Sequence, residues 1–250
     1  MSPLRVAVVH FPGSNCDRDT LWAFREVLGE EAVPVDHERA TLPAVDLVVL
    51  PGGFSYGDYL RPGAVAARAP VMRAVRAHAA AGGLVLGICN GFQILCEAGL
   101  LPGALVRNES GRFVCRTVHL RVESDRAPLT AALRPGEVIR LPVAHGAGNY
   151  RLPPGEAERL AAQGRILLRY ADARGEVTPE ANPNGSEASI AGVADAAGNV
   201  MGLMPHPERA VAAWQGSVDG LRLLRSLLGA DEGAERGARG PETWIPMWTP

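Results

Sequence analysis

Two rhythms alternate along this chain. Short, continuous apolar runs recur, each halted by glycine or proline, and between them lie stretches with helical spacing. Residues 5–11, Arg-Val-Ala-Val-Val-His-Phe, form such a run, as expected of a strand covered on both faces, and Pro12-Gly13-Ser14-Asn15 breaks it. Residues 17–28 predict an amphipathic helix ending at Gly29. Val33-Pro34-Val35 is a weak strand signal; residues 45–50 are a strong one, stopped by Pro51-Gly52-Gly53. Residues 71–81 predict a helix with Gly82-Gly83 as its stop, and residues 84–88 the next strand. Strands alternating with helices, each strand closing in a glycine-rich turn, predict an α/β domain with a largely parallel sheet. Ligands bind such sheets at the carboxyl ends of the strands. The loops 11–15 and 51–60 and the turn at Cys89 fall on that edge.

Beyond residue 110 the pattern turns β-rich. Residues 114–122 alternate like a half-exposed strand, and residues 138–143, 166–170, 190–193 and 200–204 read as further strands. Residues 211–228 predict a C-terminal helix whose apolar face carries Trp214, Val218, Leu221, Leu224, Leu227 and Leu228. One domain therefore spans 1–229. Residues 230–250 are expected to be a linker and tail: 230–241 hold only Gly, Ala, Pro and charge, and Trp244-Ile245-Pro246-Met247-Trp248 are apolar and expected to pack back onto the domain.

Composition narrows the class without naming a function. With 250 residues, 47% hydrophobic and a net charge of −2, the chain offers no electrostatic case for nucleic acid or an anionic membrane. No apolar run nears the roughly 20 residues of a membrane helix, and residues 4–11 are too short for a signal peptide. Cys16, Cys89, Cys96 and Cys115 form no Cys-x-x-Cys pair and no metal-finger spacing with histidine, so no metal site is expected. A reduced, cytoplasmic protein is the simplest account.

The candidate chemistry starts at Gly87-Ile88-Cys89-Asn90-Gly91, between an apolar run and the helix-like segment 92–98. Strand, Gly-x-Cys-x-Gly, helix is the layout of a nucleophile elbow, which lifts a strained nucleophile out of the sheet. A sulfur there lies near a helix N-terminus that favours the thiolate. A buried core cysteine beside loop glycines is the plainer alternative. Cys89 needs a base, and the base an orienting acid. Among six histidines His206 stands out, because Pro205 and Pro207 bias Met204 and His206 toward extended backbone. Two apart on an extended chain, His206 and Glu208 face one side, where the carboxylate can fix the imidazole tautomer. The N–H groups of Gly53 and Asn90 are candidate oxyanion donors.

These motifs resemble the class I (triad) glutamine amidotransferases. Five segments carry the resemblance: residues 11–17 (FPGSNCD), 52–64 (GGFSYGDYLRPGA), 87–93 (GICNGFQ), 142–146 (PVAHG) and 203–209 (LMPHPER). More narrowly, over about residues 4–229, they are similar to the glutaminase subunits that serve amidation of formylglycinamide ribonucleotide in de novo purine synthesis. The resemblance implies a flavodoxin-like α/β fold and a Cys89–His206–Glu208 triad. It adds Gly52, Gly53, Asn90, Gln93 and His145 as oxyanion or substrate-binding residues. It also implies a large synthetase subunit, on which ATP and magnesium act, and a small accessory subunit; no Gly-x-x-x-x-Gly-Lys-Ser/Thr loop occurs here. Phe54, Tyr56, Asp58 and Arg61, on a loop expected to be exposed, are candidates for docking the synthetase. Ala147 and Asn149 depart from the family pattern, which often has an acidic and a basic residue there. A Cys hydrolase of similar architecture and a catalytically silent binding subunit are the rival readings.

Overall fold

The computed structural model describes residues 3–229; the expected linker and tail at 230–250 lie outside the described residues. Its strands are β1 (Arg5–His10), β2 (Glu31–Asp36), β3 (Leu47–Leu50), β4 (Leu84–Ile88), β5 (Ala104–Val106), β6 (Val114–Val122), β7 (Val138–His145), β8 (Asn149–Arg151), β9 (Ile166–Ala171), β10 (Ile190–Ala194) and β11 (Val200–Leu203). Nine of them form one sheet in the order β2-β1-β3-β4-β11-β10-β9-β6-β7, while β5 and β8 make a separate ribbon. From β2 to β11 every pairing is parallel. From β11 to β7 every pairing is antiparallel.

The change of pairing follows the apolar pattern. The residues of β3 are all buried, as are Val6 to Val9 of β1 and Val85 to Ile88 of β4, so both faces must be covered. The helices α1 (Asp17–Trp22), α2 (Val71–Ala80) and α3 (Asn90–Glu97) supply that cover by packing on β1, β4 and β3. Strand β6 instead alternates at its second half and is largely exposed at its first, the signature of a half-covered antiparallel strand. Pro34 sits in β2, which pairs only with β1 at the sheet edge, where its missing N–H costs no central ladder bond.

Two predicted helices differ from expectation. Residues 17–28 begin as α1 but continue as a π-type turn, Ala23–Val27, with Leu28 N–H bonded to the Ala23 carbonyl. The wider turn buries Ala23 and Phe24 together. Residues 211–228 do not form one helix: a 3-10 turn (Ala213–Gln215) precedes α5 (Asp219–Ser226). Gln215 Oε1 accepts from the N–H groups of Val211 and Ala212, and Gly216 takes φ 87°. Trp214 is consequently 73% exposed and Val218 is also exposed, so neither joins the expected apolar face. The sequence reading also missed the ribbon and α4 (Glu156–Ala162).

The parallel strands all end on one edge, and this gathers the loops that carry the candidate residues. At the β4–α3 junction, Gly87 and Gly91 let helix and sheet approach closely. A Cβ on Gly91 would strike the Leu50 carbonyl oxygen of β3; one on Gly87 would lie 2.7 Å from the Gly91 carbonyl. Backbone on both sides leaves nothing to yield. Gly91→Ala is expected to cost about 2–3 kcal/mol. The thermal midpoint, read by calorimetry, should fall by about 5–10 °C. Gly146→Ala, whose Cβ would have its nearest neighbour at 3.7 Å, should leave the midpoint within about 2 °C.

Candidate active site

Cys89 occupies the single residue between β4 and α3, with φ 51° and ψ −104°. A non-glycine residue at this φ is strained, and such strain persists only where the surroundings enforce it. Here Cys89 N–H donates to the Leu203 carbonyl at 2.8 Å, tying the turn to the end of β11. Asn90 is the first residue of α3, so its N–H has no carbonyl within the helix to meet. Gly53, at φ 142°, borders the same cavity as Cys89.

The chain leaves β11 through Met204 and Pro205, and His206 N–H bonds to the Pro142 carbonyl of β7 at 2.9 Å. His206 is extended, as the prolines predict, but Pro207–Arg209 then close a 3-10 turn. That turn, rather than an extended pair, presents the carboxylate: His206 Nδ1 meets Glu208 Oε1 at 2.7 Å with both side chains buried. Burial pulls the His206 pKa down. The Glu208 carboxylate first, then the nearby Cys89 and Cys16 sulfurs, outweigh burial, and the ring titrates well above the usual histidine range. Its Nε2 is buried and has no hydrogen-bond partner.

Gly52 stands between these groups. A Cβ there would lie 2.7 Å from His206 Cε1, 3.0 Å from Cys16 Sγ and 3.4 Å from Cys89 Cβ. Its lack of a side chain is therefore a condition for thiol and imidazole to meet. Cys16 is a site neighbour that the sequence reading did not assign: donor atoms of Cys16, His206 and Glu208 fall within 4.8 Å of one another. Burial raises the Cys16 thiol pKa, against the pull of the neighbouring His206 ring. Its motif, residues 11–17, was visible in the sequence, but nothing local ties it to residue 206.

Beside Cys89 lies a cavity of about 110 Å³. Gln93 borders it with its amide engaged at both ends: Nε2 donates to the Ala147 carbonyl at 2.6 Å, and Oε1 accepts from Asn90 Nδ2 at 2.8 Å. His145 also borders it. Its Nδ1 meets Asn108 Oδ1 at 3.1 Å and its Nε2 meets Asn184 Nδ2 at 3.4 Å. Burial first, then His206, lower the His145 pKa to about 4, so this ring is neutral. Ala147 contributes only its carbonyl to Gln93, and Asn149 lies buried in β8.

The loop after Gly53 is less exposed than expected. Tyr56 turns its hydroxyl onto His37 Nδ1 at 2.8 Å, and Asp58 faces the cavity, where Asn90 Nδ2 donates to Oδ1 at 3.3 Å. Arg61 points outward and pairs with Glu97, while Phe54, partly exposed, also borders the cavity and rests on Phe113 with ring centroids 6.4 Å apart. Tyr59 and Leu60, which the sequence reading left aside, are the most exposed apolar residues of the loop, at 75% and 86%.

Comparison with known proteins agrees with this geometry. Residues 3–232 match the CobB/CobQ-like glutamine amidotransferase domain. The phosphoribosylformylglycinamidine synthase subunit PurQ of Bradyrhizobium diazoefficiens is 56% identical over 225 residues, covering 90% of this chain and 97% of that protein. The subunit of the same name from Aquifex aeolicus is 53% identical, covering 90% and 99%. A solved structure described as PurLQS from Thermotoga maritima contains a chain that superposes with a TM-score of 0.81 at 47% identity, covering 92% of this chain and 99% of that one. No helix among the described residues is long and apolar enough to cross a membrane. The chain belongs to the CobB/CobQ-like glutamine amidotransferase family, alongside the PurQ subunits of phosphoribosylformylglycinamidine synthase.

Proposed function

We propose that this chain is the glutaminase subunit of a phosphoribosylformylglycinamidine synthase. The observation that carries this reading is the buried His206–Glu208 pair, 2.7 Å apart, beside a cysteine in a strained elbow. Cys89 thiolate attacks the side-chain carboxamide carbon of glutamine. The oxyanion that forms accepts hydrogen bonds from the N–H groups of Gly53 and Asn90. His206, oriented by Glu208 through Nδ1, gives its Nε2 proton to the departing ammonia, leaving a glutamyl thioester. Water, deprotonated by the now neutral ring, then releases glutamate.

The ammonia passes to a synthetase subunit, where ATP and magnesium act in converting formylglycinamide ribonucleotide to its amidine, with a small accessory subunit completing the complex. The PurLQS relative supports this assembly. Phe54 and Arg61, with Tyr59 and Leu60 beside them, offer the apolar and charged surface for docking, while Tyr56 and Asp58 hold the loop from within.

Glutamate release by the reconstituted complex tests the reading. Cys89→Ala should lower kcat by about ten-thousand-fold or more, since a nucleophile cannot be replaced by its neighbours. A smaller loss, about 10- to 100-fold, is expected for Glu208→Gln, which keeps nucleophile and base but frees the ring. The carboxylate holds the His206 pKa up, and the ring must carry a proton to release ammonia. Activity should therefore be lost as pH rises through that raised pKa, and the alkaline limb of the kcat profile should move to lower pH in Glu208→Gln. An unmoved limb would show that Glu208 does not act through the ring.

A further inference from the structure

Asp58 is the one carboxylate that borders the cavity holding Cys89 among the described residues. No arginine borders that cavity, and its histidine, His145, is neutral. The carboxylate receives a single hydrogen bond, from Asn90 Nδ2. Burial pushes its pKa up to about 6, against the pull of that bond, as expected for a carboxylate with no cation beside it.

Its backbone is held in an uncommon shape. Tyr56, Asp58 and Leu60 have φ of 52°, 53° and 68°, and Gly57 lies at 66°. Three non-glycine residues at positive φ within one short loop are strained, and clusters of this kind mark ligand clamps. The bonds that enforce the shape lead to the elbow and to the loop after β1: Ser55 N–H donates to Asn90 Oδ1 at 3.0 Å, and Tyr56 N–H to the Pro12 carbonyl at 2.6 Å. The side chain of Asn90, the residue after the nucleophile, thus holds both this loop and the carboxylate across the cavity. Gln93, the other amide in the wall, already has both ends engaged.

A glutamine whose carboxamide lies at Cys89 brings an ammonium group at the other end of a short chain. Building on the glutaminase reading above, we propose that Asp58 receives the α-ammonium group of glutamine and selects for it. The fit is one of charge: a solitary, half-buried carboxylate gains the cation that its surroundings lack. It also gives the strained loop a role distinct from docking. The titratable groups around Asp58 are Cys89 and His145 in the same cavity, and on its own loop Tyr56 and Arg61, which are engaged by His37 and Glu97.

The test compares glutamine with glutaramate, the same amide without the amino group, using the full complex with its synthetase and accessory subunit. The wild-type enzyme should favour glutamine by about 100-fold or more in kcat/KM. Asp58→Asn should raise the glutamine KM by about 100-fold with kcat nearly kept, and shrink the preference to about tenfold or less. Asp58→Glu should restore part of it. Below about pH 6 the wild-type carboxyl takes up a proton and can no longer pair with an ammonium, so kcat/KM for glutamine should fall there; that limb should vanish in Asp58→Asn. Wild-type preference and acid limb can be read even where the asparagine variant folds poorly. Equal use of the two amides by the wild type, or a preference unchanged in Asp58→Asn, would overturn the assignment. So would a variant whose only defect is weaker binding of the synthetase. A wild-type complex that cleaves neither amide would remove the glutaminase reading itself, and is distinguished from these results by the absence of any turnover.

Discussion

The approach of α3 to the sheet is the constraint on which the site depends. Gly91 rests on the Leu50 carbonyl and Gly87 on the Gly91 carbonyl, so the helix can start directly at the end of β4. Only at that distance does the single residue between them take φ 51°, and only then does its sulfur stand clear of the strand. The Cys89 N–H bond to Leu203 carries the same constraint into β11, which delivers His206 three residues later. A strained residue survives because close-packed backbone on every side leaves it no alternative.

Asn90 extends this constraint from the elbow to the cavity. Its side chain accepts from Ser55, donates to Asp58 and to Gln93, and Gln93 in turn reaches the Ala147 carbonyl beyond β7. Three chain segments remote in sequence are thereby set around one small space. Buried polar networks of this kind define geometry when nearly every member is satisfied, and here the carboxylate of Asp58 receives one hydrogen bond, from Asn90.

Charge is handled by pairing rather than by solvent. Glu208 is fully buried, a costly place for a carboxylate without a partner. The protonated His206 ring is that partner through its Nδ1–H, and the charge Glu208 holds on the ring leaves an Nε2–H as the acid for the leaving group. His145, equally buried but bonded to two neutral amides, goes the other way and stays uncharged. Two histidines near one thiol thus differ in protonation because their second partners differ.

Much of this was legible in the linear chain. Apolar runs ending in glycine marked β1, β3 and β4, and the glycines at 87 and 91 marked a turn where side chains could not fit. Prolines flanking His206 made it extended before any contact was known. Short-range sterics act through neighbours in sequence, so these features are local and readable. The three-residue strands of the ribbon, the π-type turn after Trp22 and the break at Gly216 are decided by what packs against them, and periodicity carries no trace of that. The same holds for direction. Sequence placed Asp58 and Tyr56 on a loop at the active edge, but whether a side chain on that loop faces solvent or the cavity depends on Asn90 and His37, which are distant in the chain. Cys16 reached the imidazole in the same way, through a fold that sets the loop after β1 against the loop after β11. Sequence alone determined which residue types stood at the strand ends; tertiary packing decided which of them share a cavity, because partners hundreds of atoms apart along the chain meet only when the sheet is closed.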